Sequence, residues 1–268
     1  MRTLSYAAAI LVAAGLLHAQ APAPAAPPAQ APAAPRPGVL PISDAPKVLA
    51  GAREALGGEK RLSAVKSFVA EGQTRQIQGD NLIPIVFEIS VELPDKYVRR
   101  DEIPARENGP TSVGFNGDVL LVQPTPPAPL PEPAKLGRLT AARQDFARLV
   151  LGMFAMSSDA YPLTFNYVGQ AEAPQGKADV VDVKGPANFT GRLFVHSTTH
   201  LPIMLTWQAP GRGGPVENRL YYADYRDVSG MQFPFRLRRA VGADTVEETT
   251  FDRFRINPKI DANKFSVK

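Results

Sequence analysis

The chain has 268 residues, a formal net charge of +4 and no cysteine. The lack of cysteine excludes a disulfide framework, a lipid-modified N-terminal cysteine, thiol catalysis and cysteine-based zinc sites. A chain of this length can still bury a sizeable core of its own.

Residues 1–19 predict a cleaved secretory signal peptide, and therefore an exported protein. Arg2 supplies the basic start, residues 7–17 form an apolar run, and Ala19 is a small residue that suits a cleavage site. This run is shorter than the roughly 20 residues that a membrane-spanning helix needs, although an uncleaved anchor remains the alternative.

A spacer and one domain are predicted after the signal peptide. Residues 20–46 contain nine prolines and many alanines. Such a segment buries little apolar surface, so we expect a disordered, polyproline-like spacer. Residues 47–268 then have a length typical of one domain.

The first half of this domain predicts a short helix followed by strands. Apolar residues recur at near-helical spacing over residues 47–62, with a break at Gly57 and Gly58, and strands begin at Ser67. Residues 86–93 alternate, with Phe87, Ile89 and Val91 on one face. Asn116-Gly117 predicts a two-residue hairpin turn of type I′.

The middle of the chain predicts a loop and then an amphipathic helix. Prolines are dense in residues 124–133, which excludes an interior strand there. Residues 139–156 follow with a helical period and with Thr140 as the expected N-cap. The apolar side of this helix comprises Phe146, Leu149, Val150, Met153 and Phe154, and the side expected to face away comprises Arg143, Gln144 and Arg148.

The rest of the domain, from Tyr161 onward, predicts strands to the end of the chain. Short segments rich in Val, Phe, Tyr, Thr and Leu alternate with turn residues there. The fold class is therefore mainly β with helices (α+β), an antiparallel sheet with helices packed on one face.

No motif predicts catalysis, a metal or a cofactor. His196 and His200 are four residues apart, but the turn between them separates the side chains and no further ligands follow at suitable spacing. A Gly-x-Ser-x-Gly motif is absent from the sequence. Paired carboxylates occur on strands, where Glu88 and Glu92 are expected on a solvated face and Glu247 and Glu248 on opposite faces.

Basic and aromatic residues of the later strands leave alternatives open. Arg236 and Arg238 share a face, which is either a solvated outer face or a surface for anionic lipid headgroups. Nucleic acid is not expected as a partner of an exported chain without a binding motif. Trp207, Tyr221, Tyr222 and Tyr225 are expected in the core, with the lining of an acyl-chain or sugar site as the alternative.

Landmarks of residues 47–268 occur in an order found in a known family. They are Ala55-Leu56-Gly57-Gly58 after an early helix, the amphipathic mid-chain helix, Thr199-His200-Leu201-Pro202, Tyr222-Ala223-Asp224-Tyr225, Gly230 with Phe233-Pro234, and Asn257-Pro258-Lys259-Ile260-Asp261 with Phe265. Together they resemble the periplasmic lipoprotein-carrier superfamily typified by LolA and LolB, and especially its outer-membrane lipoprotein-sorting-like members.

The resemblance implies a curved antiparallel sheet that forms an unclosed β-barrel covered by helices, with acyl chains held in an apolar cavity. It implies a non-enzymatic, monomeric carrier of lipid or of an acylated protein, in possible contact with the membrane surface or envelope proteins. The expected cavity lining comprises Phe87, Ile89, Val91, Phe146, Leu149, Val150, Met153, Phe154 and Trp207. One alternative is an envelope-sensing or scaffold module that binds a protein through its sheet edge or proline-rich loop, and another is a hydrolase of envelope polymers.

Overall fold

The computed structural model describes residues 44–107, 109–211 and 213–266; the predicted signal peptide and residues 20–43 of the predicted spacer lie outside this part. Twelve strands there form one sheet. They are β1 (Ser67–Gln78), β2 (Asn81–Glu92), β3 (Lys96–Glu102), β4 (Thr111–Asn116), β5 (Val119–Gln123), β6 (Thr164–Ala173), β7 (Gly176–Gly185), β8 (Phe189–His196), β9 (Pro202–Gly211), β10 (Gly214–Val228), β11 (Met231–Val241) and β12 (Asp244–Ile256).

The sheet is antiparallel, and its first strand, β1, lies in the interior of the sheet rather than at an edge. Its spatial order is β5-β4-β3-β2-β1-β12-β11-β10-β9-β8-β7-β6, so the first strand pairs with the last. Strands β5 and β6 are left as the two free edges. The predicted unclosed β-barrel is confirmed.

One face of the sheet, here called the inner face, carries the core. The alternation predicted for β2 holds, because Phe87, Ile89 and Val91 are all buried. Aromatic rings pack together across the strands there, as in the edge-to-face pair of Phe87 on β2 and Phe251 on β12, whose centroids lie 5.4 Å apart although β1 separates the two strands. The opposite surface is called the outer face.

Two short helices precede the sheet. Helix α1 (Ala45–Ala55) begins two residues before the predicted start of the domain, and helix α2 is Glu59–Ser63. Gly57 and Gly58 separate them with positive φ angles of 131° and 85°, which glycine adopts most readily. The predicted break is therefore confirmed.

The third helix, α3 (Glu132–Phe154), begins seven residues earlier than predicted. Pro131 is its N-cap and Thr140 lies inside it, so the expected cap at Thr140 is wrong. Proline fits the first turn of a helix because that turn leaves its N–H groups unpaired in any case. Residues 132–138 are exposed, so no apolar period marked these turns in the sequence.

Helix α3 connects the two free edges of the sheet and lies across the inner face. It contacts β4 and β5 on one side and β9 and β11 on the other. Tyr222 donates a hydrogen bond from its hydroxyl to the carbonyl of Arg148 at 2.7 Å. The Tyr225 hydroxyl lies 3.1 Å from the carbonyl oxygen of Gly152. The C-terminal half of the helix is thereby attached to β10.

The β4–β5 hairpin occurs where it was predicted, but its turn is one residue later. Asn116 pairs with Val119, so Gly117 and Asp118 form the loop. Among the described residues of this turn, only Gly117 has a positive φ, of 56°. The type I′ turn at Asn116-Gly117, which needs two positive φ angles, is therefore wrong.

None of the helices in the described part of the chain is both long and apolar enough to span a bilayer.

Candidate functional site

A cavity of about 610 Å³ lies between α3 and the inner face. Its volume falls in the range of small-molecule sites. The wall consists of residues from α3 and from strands on both halves of the sheet; they include Gln76, Ile89, Tyr97, Arg99, Asp101, Val113, Ala142, Gln144, Arg148, Leu149, Trp207, Ala209, Asn218, Leu220, Leu237, Arg239, Glu247, Thr249 and Phe251.

Three of the residues nominated from the sequence lie on this wall. Ile89 of β2 and Trp207 of β9 come from the two halves of the sheet, and Leu149 comes from α3. Each is more than nine-tenths buried. They give the cavity an apolar floor that could contact hydrocarbon.

The other six nominated residues lie in the packed core rather than on the cavity wall. They are Phe87, Val91, Phe146, Val150, Met153 and Phe154, each no more than 2% exposed. The ring of Phe154, for example, lies 5.9 Å from that of Phe68 and 5.5 Å from that of Phe233, measured between centroids. Their contribution to ligand binding stays a prediction, and their packing role is plain.

Arg148 and Gln144 point toward the interior, contrary to the prediction that this side of α3 faces away. The guanidinium of Arg148 lies 4.6 Å from the centroid of the Trp207 ring, in a cation–π contact. Gln144 donates to the Tyr161 hydroxyl at 3.0 Å. Long polar side chains can cover apolar surface with their stems, so a helix beneath a curved sheet buries more than its apolar stripe.

A hydrogen-bonded polar network forms another part of the wall, next to Ile89, which pairs with Arg99 across β2 and β3. Arg99 donates to Asp101 at 2.8 Å and to the hydroxyl of Thr74 at 3.1 Å. The Thr74 hydroxyl lies 2.9 Å from that of Thr249, which is 3.4 Å from a carboxylate oxygen of Glu247. The cavity is therefore amphipathic, since both apolar and charged side chains line it.

Electrostatics keep Arg99 charged within this wall. Burial is the largest single influence and disfavours the charged guanidinium, but Asp101, Tyr97 and Glu247 together outweigh it and raise the pKa of Arg99 above its usual value. Burial also raises the pKa of the Tyr97 phenol, so that hydroxyl stays protonated far into the alkaline range.

Strand alternation in the sequence could have identified these polar residues as part of the interior. Tyr97 is buried on the inner face of β3, and strand alternation places Arg99 and Asp101 on the same face. Leu237 likewise shares its face with Arg239, which lies 3.8 Å from Glu247. A charged residue in phase with buried apolar neighbours indicates a polar interior.

The remaining candidates from the sequence lie apart from the cavity. The imidazole of His196 contacts the Gln175 carbonyl at 3.1 Å, whereas the ring of His200 lies beside Gly51. Glu88 and Glu92 are partly buried and ion-paired with Lys264 and Lys96. In the described ranges, no group of three or more His, Asp or Glu side chains is arranged to hold a metal ion.

Comparison with solved structures identifies proteins of similar fold, whereas comparison of sequences finds none. No protein-family model and no curated protein matches this chain. A LolA superfamily protein from Nitrosomonas europaea is 15% identical, with a TM-score of 0.58 over 84% of this chain and 98% of that one. An outer-membrane lipoprotein-sorting protein domain from Vibrio parahaemolyticus is 10% identical, with a TM-score of 0.52 over 82% and 97%.

A third solved structure has the same arrangement. It is a DUF1329 family protein from Desulfovibrio piger, 8% identical, with a TM-score of 0.51 over 84% of this chain and 98% of that one. These likenesses extend over nearly the whole length of the three proteins. Together with the free-edged sheet and its crossing helix, they show that this chain has the LolA-like fold that its sequence resembles.

Proposed function

We propose that this protein is a periplasmic, non-enzymatic binding or carrier protein that holds the acyl chain of a lipid or of an acylated protein between α3 and the inner face. The observation that carries the proposal is the amphipathic cavity of about 610 Å³ with Ile89, Leu149 and Trp207 on its apolar floor. An acyl chain would lie on that floor, and the polar network would contact the ester or carboxylate end.

The driving force would be burial of hydrocarbon. Each methylene removed from water contributes about 0.8 kcal/mol, so two more carbons should raise the affinity by about fifteenfold. This gain should stop once the chain fills the cavity. A surface patch or a micelle-like association has no such length limit.

The single tryptophan of the chain provides a direct test. Trp207 is the only tryptophan and lies on the cavity wall, so its emission reports on cavity contents. Fatty acids of increasing length and a brominated fatty acid, which quenches tryptophan on contact, would be titrated against the full chain. We expect saturable quenching and an affinity that rises with chain length to a plateau.

A matched pair of substitutions on β9 controls this test. Ala209→Phe adds a ring at the cavity wall and should abolish quenching, whereas Gln208→Phe adds it at an exposed neighbour and should leave quenching unchanged. Absence of saturable quenching in the unmodified protein would end the lipid proposal. Equal loss in both variants would assign the quenching to a site other than the cavity.

Protein binding through a sheet edge is the second candidate, and β6 is the observation that favours it. This ten-residue strand pairs on one side with β7 and is a free edge of the sheet. It contains neither proline nor lysine, the residues that commonly guard such edges. A partner that adds a strand should bind equally well to the Ala209→Phe variant, which separates the two candidates.

A further inference from the structure

A second concave site lies on the outer face, on the other side of the sheet from the cavity. It is a groove of about 450 Å³ formed by β1, β10, β11, β12 and the β6–β7 turn. Arg75, Arg236 and Arg238 line it together with Glu248 and Asp252. The lipid proposal does not use any of these residues.

The strand register brings the arginines together. Arg75 of β1 is opposite Glu248 of β12, which is opposite Arg238 of β11, which is opposite Tyr221 of β10. Neighbouring strands lie about 4.8 Å apart, so the backbones of Arg75 and Arg238 are about 10 Å apart. Arg236 is two residues from Arg238 on the same face. Their long side chains can reach one anion between them.

These arginines differ from others on the sheet in their ion pairing. Among the described residues, none of the three has a carboxylate oxygen within the 4.0 Å of an ion pair, whereas Arg253 and Arg255 of β12 both pair with Glu71. Three guanidinium groups against the two carboxylates of the groove leave one positive charge in excess. That surplus matches the single negative charge of a phosphate diester.

Three contacts hold the residues of the groove in place. The guanidinium of Arg238 lies 4.2 Å from the centroid of the Tyr221 ring, which holds its plane while its N–H edges stay free to donate. On one side, the wall is the β6–β7 turn, which reaches strands that are not its sheet neighbours. His196 contacts the carbonyl of Gln175 at 3.1 Å, and the amide of Ser197 donates to Lys177 at 2.9 Å, which fastens the turn to the end of β8.

We propose that this groove binds a phosphate ester that also carries hydroxyl or amine groups, the chemistry of a phospholipid headgroup or of a soluble phosphate ester. Arginine forks match the oxygens of phosphate, and charge-assisted hydrogen bonds to them are strong. Glu248 and Asp252 accept hydrogen bonds from the hydroxyl or amine groups of the same ligand. A plain anion would leave these carboxylates without a partner.

Calorimetric titration of the full chain tests this proposal with three probes: inorganic phosphate, glycerophosphoglycerol and dihexanoyl phosphatidylglycerol below its micelle concentration. We expect both esters to bind, and the R236Q/R238Q variant to bind them at least tenfold more weakly. The R253Q/R255Q variant, which removes the same charge from the same face outside the groove, should bind as the unmodified protein does.

The probes also distinguish the source of the phosphate. Tighter binding of the dihexanoyl lipid than of glycerophosphoglycerol assigns the groove to a membrane lipid, and equal binding assigns it to a soluble ester. Binding of neither ester, preference for inorganic phosphate, or equal weakening in the two double variants would overturn the proposal. Quenching of Trp207 by the brominated fatty acid should be unchanged in R236Q/R238Q, so the two sites fail or succeed separately.

Discussion

Replacing Gly152 with alanine tests how α3 is attached to the sheet. A Cβ atom at this position would lie 2.2 Å from Cε1 and 2.4 Å from Cδ1 of Tyr222, far inside van der Waals contact. Tyr222 is 1% exposed and cannot move aside, so the helix must shift. A shift weakens the hydrogen bond from the Tyr222 hydroxyl to the Arg148 carbonyl.

The expected effect follows from three contributions. Overpacking of a filled core costs about 1–3 kcal/mol, and the weakened hydrogen bond costs about 1 kcal/mol. Alanine returns about 1 kcal/mol through its higher helix propensity. We therefore expect Gly152→Ala to lower the free energy of unfolding by about 2 kcal/mol, measured by urea denaturation with Trp207 fluorescence and far-ultraviolet circular dichroism.

The same helix offers a control and a rescue. A Cβ atom at Gly137 meets nothing within 4 Å, so Gly137→Ala should raise the free energy of unfolding by up to about 1 kcal/mol. In a Tyr222→Ala background, Gly152→Ala should cost much less than it does alone. If Gly152→Ala is as stable as Gly137→Ala, then the close approach of α3 and β10 is not the constraint described above.

Two further predictions concern the core and its tyrosines. Phe154→Ala should lower the free energy of unfolding by about 3–5 kcal/mol, because the ring is fully buried between two other aromatic rings. Leu136→Ala is the control: this position is 63% exposed, so the free energy of unfolding should change by less than about 0.5 kcal/mol. Urea denaturation of the two variants would show whether they differ. Burial raises the pKa of the phenols of Tyr97, Tyr222 and Tyr225 in the folded protein. Above about pH 10 the unfolded chain therefore loses these protons while the folded chain keeps them, and the free energy of unfolding falls as the pH rises. The expected decline is about 1.4 kcal/mol per pH unit for each tyrosine. Tyr222→Phe should flatten this decline between pH 10 and 12, and an unchanged slope would contradict the linkage.

Sequence periodicity correctly predicts those elements whose buried residues follow a simple period. Phe87, Ile89 and Val91 were placed on one face of a strand because side chains alternate every residue, and they are buried together. The mid-chain helix was found only where its apolar side begins. Its first two turns, residues 132–138, are exposed and start next to prolines, so neither periodicity nor composition marked them.

Local sequence patterns also do not predict which apolar residues line the cavity. Trp207, Leu149 and Phe154 are all apolar candidates in the sequence, but Phe154 packs against the rings of Phe68 and Phe233 and does not line the cavity. Which apolar residue borders empty volume depends on the separation between α3 and the sheet. That separation results from packing between segments far apart in the chain.

The alternation of the strands and the apolar side of α3 can be predicted from the sequence, because they depend on residues close together in the chain. The resemblance to the LolA-like fold can also be recognised there, because each of its landmarks is a short local motif. The pairing of β1 with β12, the path of α3 between the two free edges and the position of Arg148 over Trp207 are known only from the folded chain. The same holds for Arg75 and Arg238, which line one groove. Such contacts join residues separated by dozens of positions, and the register that creates them is set by the whole sheet.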